Sequence, residues 1–149
     1  TFEIQGKSVT LGGMSKGSGM IHPNMATMLG VLTTDLAISK TLLKEALSAD
    51  VVDSFNMISV DRDTSTNDTL VIFANGLAGN AEIVAKDADY ETFCEALHFV
   101  TTTLAKKMAA DGEGASKLLE VTVEHASDKA KARTLAKSVI TSNLVKTAI

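Results

Sequence analysis

The sequence predicts an α/β sandwich built around one core, and three observations predict it. Short alternating apolar runs at 2–11, 69–74 and 118–124 mark strands along the whole chain. A long stripe at helical spacing, Phe93, Leu97, Val100, Leu104 and Met108, marks a helix over 88–110. Strand signals outnumber what strict strand–helix alternation gives, which fits a sandwich better than a doubly wound parallel sheet. The 149 residues are 45% apolar and 21% charged, the composition of a globular domain and not of a disordered chain. A domain of this length buries roughly 70% of its unfolded surface, so one real core is available.

Each element has its own signal. Residues 2–11 read as one or two short strands, closed by Gly12 and Gly13. Residues 13–25 form a loop rich in Gly, Ser and Asn that holds the only proline, Pro23. Residues 26–33 are apolar and partly β-branched, a buried strand. Ser39 caps a short helix whose face is Leu42, Leu43, Ala46 and Leu47, and a second short helix covers 49–56. Ile58-Ser59-Val60 reads as a strand, 61–68 as a polar loop, and 69–74 as a strand ended by Asn75-Gly76. Gly112 stops the long helix. After the 118–124 strand, Ser127 caps a helix to about residue 141, with Leu135, Val139 and Ile140 on its apolar face. The tail Leu144-Val145-Lys146-Thr147-Ala148-Ile149 reads as the start of another strand. A first residue other than Met and a tail without punctuation are expected of a processed or partial chain.

Charge and cysteine content narrow the function classes. The net charge of −4 excludes a basic nucleic-acid footprint. The single Cys94 excludes an internal disulfide framework and a thiolate zinc cluster, and a reducing, cytoplasmic setting is expected. The uncharged stretch from Gly17 to Thr34 is long enough to span a bilayer, but its His22, Asn24, Pro23 and hydroxyl residues would strand polar groups in lipid. No membrane partner is expected.

Several short motifs fail on their context. Gly13-Met14-Ser15-Lys16-Gly17 matches a nucleophile elbow, yet the glycines and Pro23 that follow cannot make the helix this motif needs. Lys16-Gly17-Ser18 has the wrong order for a P-loop, although a Gly-rich loop with one lysine suits an anionic ligand. Asp61, Asp63, Ser65 and Asn67 alternate like calcium ligands, but Thr66 and Ile72 stand where an EF-hand requires Gly and Glu. His22, His98 and His125 are isolated, so no metal site is expected. Cys94 reads as a small packed side chain.

Thr27 stands apart. It follows the small residue Ala26 at the junction of a Gly/Pro/Asn loop and an apolar strand. A hydroxyl needs a base to become a nucleophile. Cleaving the bond before a threonine supplies one, because the freed α-amine titrates near about pH 8. On chemistry alone, a plain strand-opening threonine remains the commoner reading.

The run from Gly12 to Leu29 resembles the self-cleavage segment of the ornithine acetyltransferases, the glutamate N-acetyltransferases of arginine biosynthesis. Ser54-Phe55-Asn56-Met57-Ile58-Ser59-Val60-Asp61, Asp63-Thr64-Ser65-Thr66-Asn67-Asp68-Thr69, Asp111-Gly112-Glu113-Gly114-Ala115-Ser116-Lys117 and the tail match in order. The resemblance implies a mixed αββα sandwich of the ornithine acetyltransferase class of self-processing folds, incomplete in this chain. It implies one partial domain over 1–149, with 1–26 ending an α chain and 27–149 opening a β chain. It implies cleavage at Ala26–Thr27, Thr27 as nucleophile, and Lys16, Thr27 and Glu113 as substrate-binding residues. The implied reaction moves acetyl from N-acetylornithine to glutamate through acetyl-Thr27, with no cofactor and with acetyl-CoA as a further co-substrate in bifunctional members. The implied partners are the remaining α- and β-chain polypeptide in an α2β2 assembly. Two rival readings are an aminopeptidase-like hydrolase with the same nucleophile and a non-catalytic binder of an anionic metabolite.

Overall fold

A computed structural model describes residues 1–17, 28–60, 68–112 and 114–149. The chain opens with a hairpin of β1 (Phe2–Ile4) and β2 (Lys7–Val9). Its two-residue turn places Gln5 and Gly6 at φ of 52° and 71°, the left-handed pair that matches the twist of a tight hairpin. Gln5 is anchored there by its side chain, which accepts from the Ala81 N–H at 2.7 Å and donates to Asp89 at 2.9 Å.

The main sheet has three strands in the order β3 (Leu11–Lys16), β4 (Leu29–Thr34) and β5 (Thr69–Ala74). β3 runs antiparallel to β4, and β4 parallel to β5. The glycine pair expected to end the strand instead lies inside β3. Gly13 sits opposite Leu32, and a Cβ on it would stand 2.3 Å from Leu32 Cδ2 and 3.3 Å from Leu104 Cδ1. The missing side chain is what lets the long helix approach the strand.

That helix, α2 (Ala88–Ala110), follows the sequence expectation residue for residue, with Asp87 accepting from the Tyr90 N–H as its N-cap. α1 (Lys40–Val51) is one helix capped by Ser39, followed by a single 3-10 turn at Phe55–Met57, where two short helices were expected. α3 (Lys129–Ile140) is capped by Asp128 and not by Ser127, since the Asp128 carboxylate reaches the Lys131 N–H at 2.7 Å. The tail forms α4 (Asn143–Thr147), capped by Ser142, where a strand was expected. Residues 58–60 and 118–124 are irregular. Their alternation reads as strand, but among the described residues no strand lies beside them to complete a ladder.

Side chains divide the sheet into two unlike faces. Leu11, Leu32 and Leu70 point toward Phe93 and Leu97 of α2, with Leu42 and Ala46 of α1 and Ile4 and Val9 of the hairpin completing the core. Phe93 and Leu97 are fully buried, each worth about 1.5–3 kcal/mol against leaving it in water. The opposite face presents Met14, Leu29 and Phe73, which are 72%, 56% and 61% exposed. One helix layer on one face of a mixed sheet is one half of a sandwich.

Candidate functional site at one end of the sheet

The register of the three strands brings the candidate residues to one end. Lys16, Leu29 and Thr69 form a single row across β3, β4 and β5, where β3 finishes and the other two begin. Lys16 is exposed in that row. Ala26 and Thr27 lie outside the described residues, as does Glu113. The residue after Thr27 and both neighbours of Glu113 are described. Met28, which follows Thr27, is gripped by two consecutive residues. Its N–H donates to Asp68 Oδ1 at 2.5 Å, and its carbonyl accepts from the Thr69 N–H at 2.8 Å.

The Met28 side chain is buried among Val51, Phe55, Ala105 and Met108, with Ile58, Val60, Leu70 and Leu104 packed around them. Gly112, which precedes Glu113, closes on this group from the helix side. A Cβ on Gly112 would stand 3.2 Å from Val60 Cγ1. The chain neighbours of Thr27 and Glu113 thus meet at one apolar cluster, while Lys16 stands at the same sheet end in the row with exposed Leu29. The pattern of residues in sequence gave no hint of this convergence, because it depends on strand pairings 40 residues apart.

Beside the cluster is a cavity of about 480 Å³ lined by Met57, Ile58, Val60, Ala105 and Gly112. The lysines at its rim are engaged. Lys146 donates to the carbonyls of Ser59 and Val60 at 3.0 and 2.7 Å, and Lys106 pairs with Glu120 at 2.5 Å. Two buried acceptors near the 3-10 turn and Met28 have no hydrogen-bond partner among the described residues, Asn56 Oδ1 and Asp68 Oδ2. Burial pushes the Asp68 carboxyl above the usual range, and the Met28 N–H pulls it back only in part.

Sequence reasoning missed Asp68 and Asn56. Both lie in stretches that matched the family as blocks, and nothing in their spacing sets them apart. It also missed the tie between helices α1 and α2, where His98 Nδ1 lies 2.7 Å from Asp50 Oδ1 and Ser54 Oγ donates to Asp50 Oδ2 at 3.1 Å. Cys94 is half-buried as expected, and burial pushes its thiol up, away from the reactive thiolate. The alternating polar residues Asp61, Asp63, Ser65 and Asn67 lie outside the described residues. Among the described residues no three His, Cys, Asp or Glu side chains are grouped to hold a metal ion, and no helix is long and apolar enough to cross a membrane.

A mixed sheet with a helical layer, a lysine at one strand end and a clamped strand start beside it define an α/β protein with a candidate site at the sheet end. Comparison with known proteins makes this specific: residues 1–149 match the ArgJ family along their whole length, and the chain belongs to that family. It is 55% identical over 148 residues to the arginine biosynthesis bifunctional protein ArgJ 1 of Clostridium acetobutylicum, covering 99% of this chain and 36% of that one. It is 54% identical over 146 residues to the ArgJ protein of Thermotoga neapolitana, covering 98% of this chain and 37% of the relative. The crystal structure of the Bacillus halodurans ArgJ protein superposes with a TM-score of 0.77 at 46% identity, over 80% of this chain and 56% of that one. The fold is therefore that of the ArgJ proteins, and the chain spans little more than a third of the length of these two curated relatives.

Proposed function

We propose that this chain is the segment of an arginine-biosynthetic acetyltransferase that carries its cleavage point and its nucleophile. The observation that carries the reading is the family match over all 149 residues, with Met28, the residue after Thr27, clamped one position before the sheet row that holds Lys16. Hydrolysis of the Ala26–Thr27 bond consumes one water, leaves a carboxylate on Ala26 and frees the Thr27 α-amine. That amine takes the hydroxyl proton as Oγ attacks the acetyl carbonyl of N-acetylornithine. The C–N bond of the donor breaks, its nitrogen takes the proton back, and ornithine leaves acetyl-Thr27 behind. The glutamate amine then attacks the ester carbonyl, its proton passes to Oγ, and N-acetylglutamate departs.

Lys16 suits a substrate carboxylate, and Glu113 suits the ornithine ammonium. The rest of the α and β chains, in an α2β2 assembly, completes the site, and acetyl-CoA serves as a further donor in a bifunctional enzyme. No cofactor takes part in the transfer itself. The setting we propose is the cytoplasm.

The test uses the full-length protein. Thr27→Ala is expected to leave the chain uncut by intact mass and to abolish formation of N-acetylglutamate. Undiminished transfer by that variant would refute the nucleophile assignment. Release of free acetate in place of N-acetylglutamate by the parent enzyme would instead identify a hydrolase.

A further inference from the structure

The strand register sorts the bare face of the sheet into rows. Alternate positions of a strand share a face, and paired residues stand side by side on it. Lys16, Leu29 and Thr69 make the end row, Met14, Val31 and Val71 the next, and Gly12, Thr33 and Phe73 the third. Lys16 is the only charged residue in these rows, and no carboxylate among the described residues pairs with it. Leu29, its direct partner from β3 to β4, is 56% exposed. The Cβ atoms of residues paired in this way stand about 5 Å apart, so a group held on Lys16 has the Leu29 isobutyl group beside it.

We propose that Leu29 is a specificity-determining residue of the acetyl-transfer site, packing against the methylene chain of an amino-acid substrate whose carboxylate Lys16 holds. This inference rests on the Lys16 reading above. A single cation at the end of a neutral, largely apolar face is complementary to a small amphiphile, an anionic group followed by methylenes. N-acetylornithine has that make-up, with three methylenes beyond the carbon that bears its carboxylate. Leu29 supplies the apolar surface nearest the cation, and Met14 and Val31 continue it away from the sheet end. A leucine that merely waits to be covered by another protein layer would affect stability and leave the choice between substrates untouched.

The experiment uses the full-length protein and two donors, N-acetylornithine and its homologue one methylene shorter, N-acetyl-2,4-diaminobutyrate. It reads the ratio of their kcat/KM values, which does not depend on the fraction of enzyme cut before Thr27. The parent should favour N-acetylornithine by about fourfold or more, the worth of one buried methylene. Leu29→Ala is expected to lower that ratio about threefold and to raise KM for N-acetylornithine about five- to tenfold. Its kcat, corrected for the cut fraction by intact mass, should stay within about twofold, since the contact is the same in ground and transition states. Leu29→Met keeps the apolar bulk and should hold the parent ratio. Three outcomes overturn the proposal: an alanine variant with the parent ratio, whatever its melting temperature; a fall in kcat at unchanged KM; or a methionine variant with a ratio as low as that of alanine. If the alanine variant is not cut, Leu29→Val decides, because the loss of one methylene must still lower the ratio. Lys16→Met separates the two readings. If it leaves KM for N-acetylornithine unchanged, the Lys16 assignment fails; if it raises that KM while Leu29→Ala keeps the parent ratio, only the role of Leu29 fails.

Discussion

Gly13 and Gly12 are chain neighbours with opposite demands. A side chain at Gly13 meets Leu32, Leu104 and, at 3.1 Å, the Val31 carbonyl, whereas a Cβ at Gly12 meets nothing within 4 Å. Gly13→Ala should therefore lower stability by about 1–3 kcal/mol through overpacking, while Gly12→Ala stays close to neutral. Chemical denaturation of the two variants, read as a change in midpoint at constant slope, checks this. In the sequence the two glycines look alike and read as a strand end. Their difference comes from Leu32 and Leu104, which the chain brings up from 19 and 91 residues away. Asp68 was hidden for the same reason, since its partner is the backbone of a residue 40 positions earlier. Thr27 stands out as a candidate in the sequence because its signal is local, a small residue before a hydroxyl at a loop–strand junction.

Elements with long internal periodicity were legible, and those that depend on a partner were not. The stripe from Phe93 to Met108 covers several turns and fixes α2 by itself. The alternation at 118–124 is just as clear, but a strand is defined by its neighbour, and none is present among the described residues. α3 shows how such a peripheral element is held. Asp53, beyond the end of α1, pairs with Lys129 at 2.6 Å and with Arg133 at 2.5 Å. Burial alone would raise the Asp53 carboxyl, but the hydrogen bonds and charges of Lys129 and Arg133 outweigh it and hold it below the usual range. A depressed carboxyl stabilises the fold above its unfolded value, and that contribution is lost as pH falls through and below about 4. Asp53→Asn should cost about 1 kcal/mol at pH 7, given the partial exposure of both cations. The parent and variant melting temperatures should converge as the pH drops from 6 to 3.

At the scale of the whole molecule the sheet is dressed on one side and, among the described residues, bare on the other. Met14, Val31 and Phe73 share the bare face because β3, β4 and β5 pair in one register. The sequence could not show this, since each of these residues alone reads as an ordinary core position. An α/β sandwich was nonetheless legible in outline, and the likeness to the Bacillus halodurans ArgJ structure bears it out.

The β3–β4 pairing has one more outcome. Ala26 and Thr27 lie between these two strands, so a break there would leave adjacent strands of one sheet on separate polypeptides. Six paired positions and the α2 packing would then hold together what the backbone no longer joins. Recovery from denaturant would become a bimolecular event for the cut protein, with a yield that rises with protein concentration, while the uncut Thr27→Ala protein would recover independently of it. Maturation would in that case be a ratchet: the molecule assembles once, as a single thread, and cannot easily retrace the path.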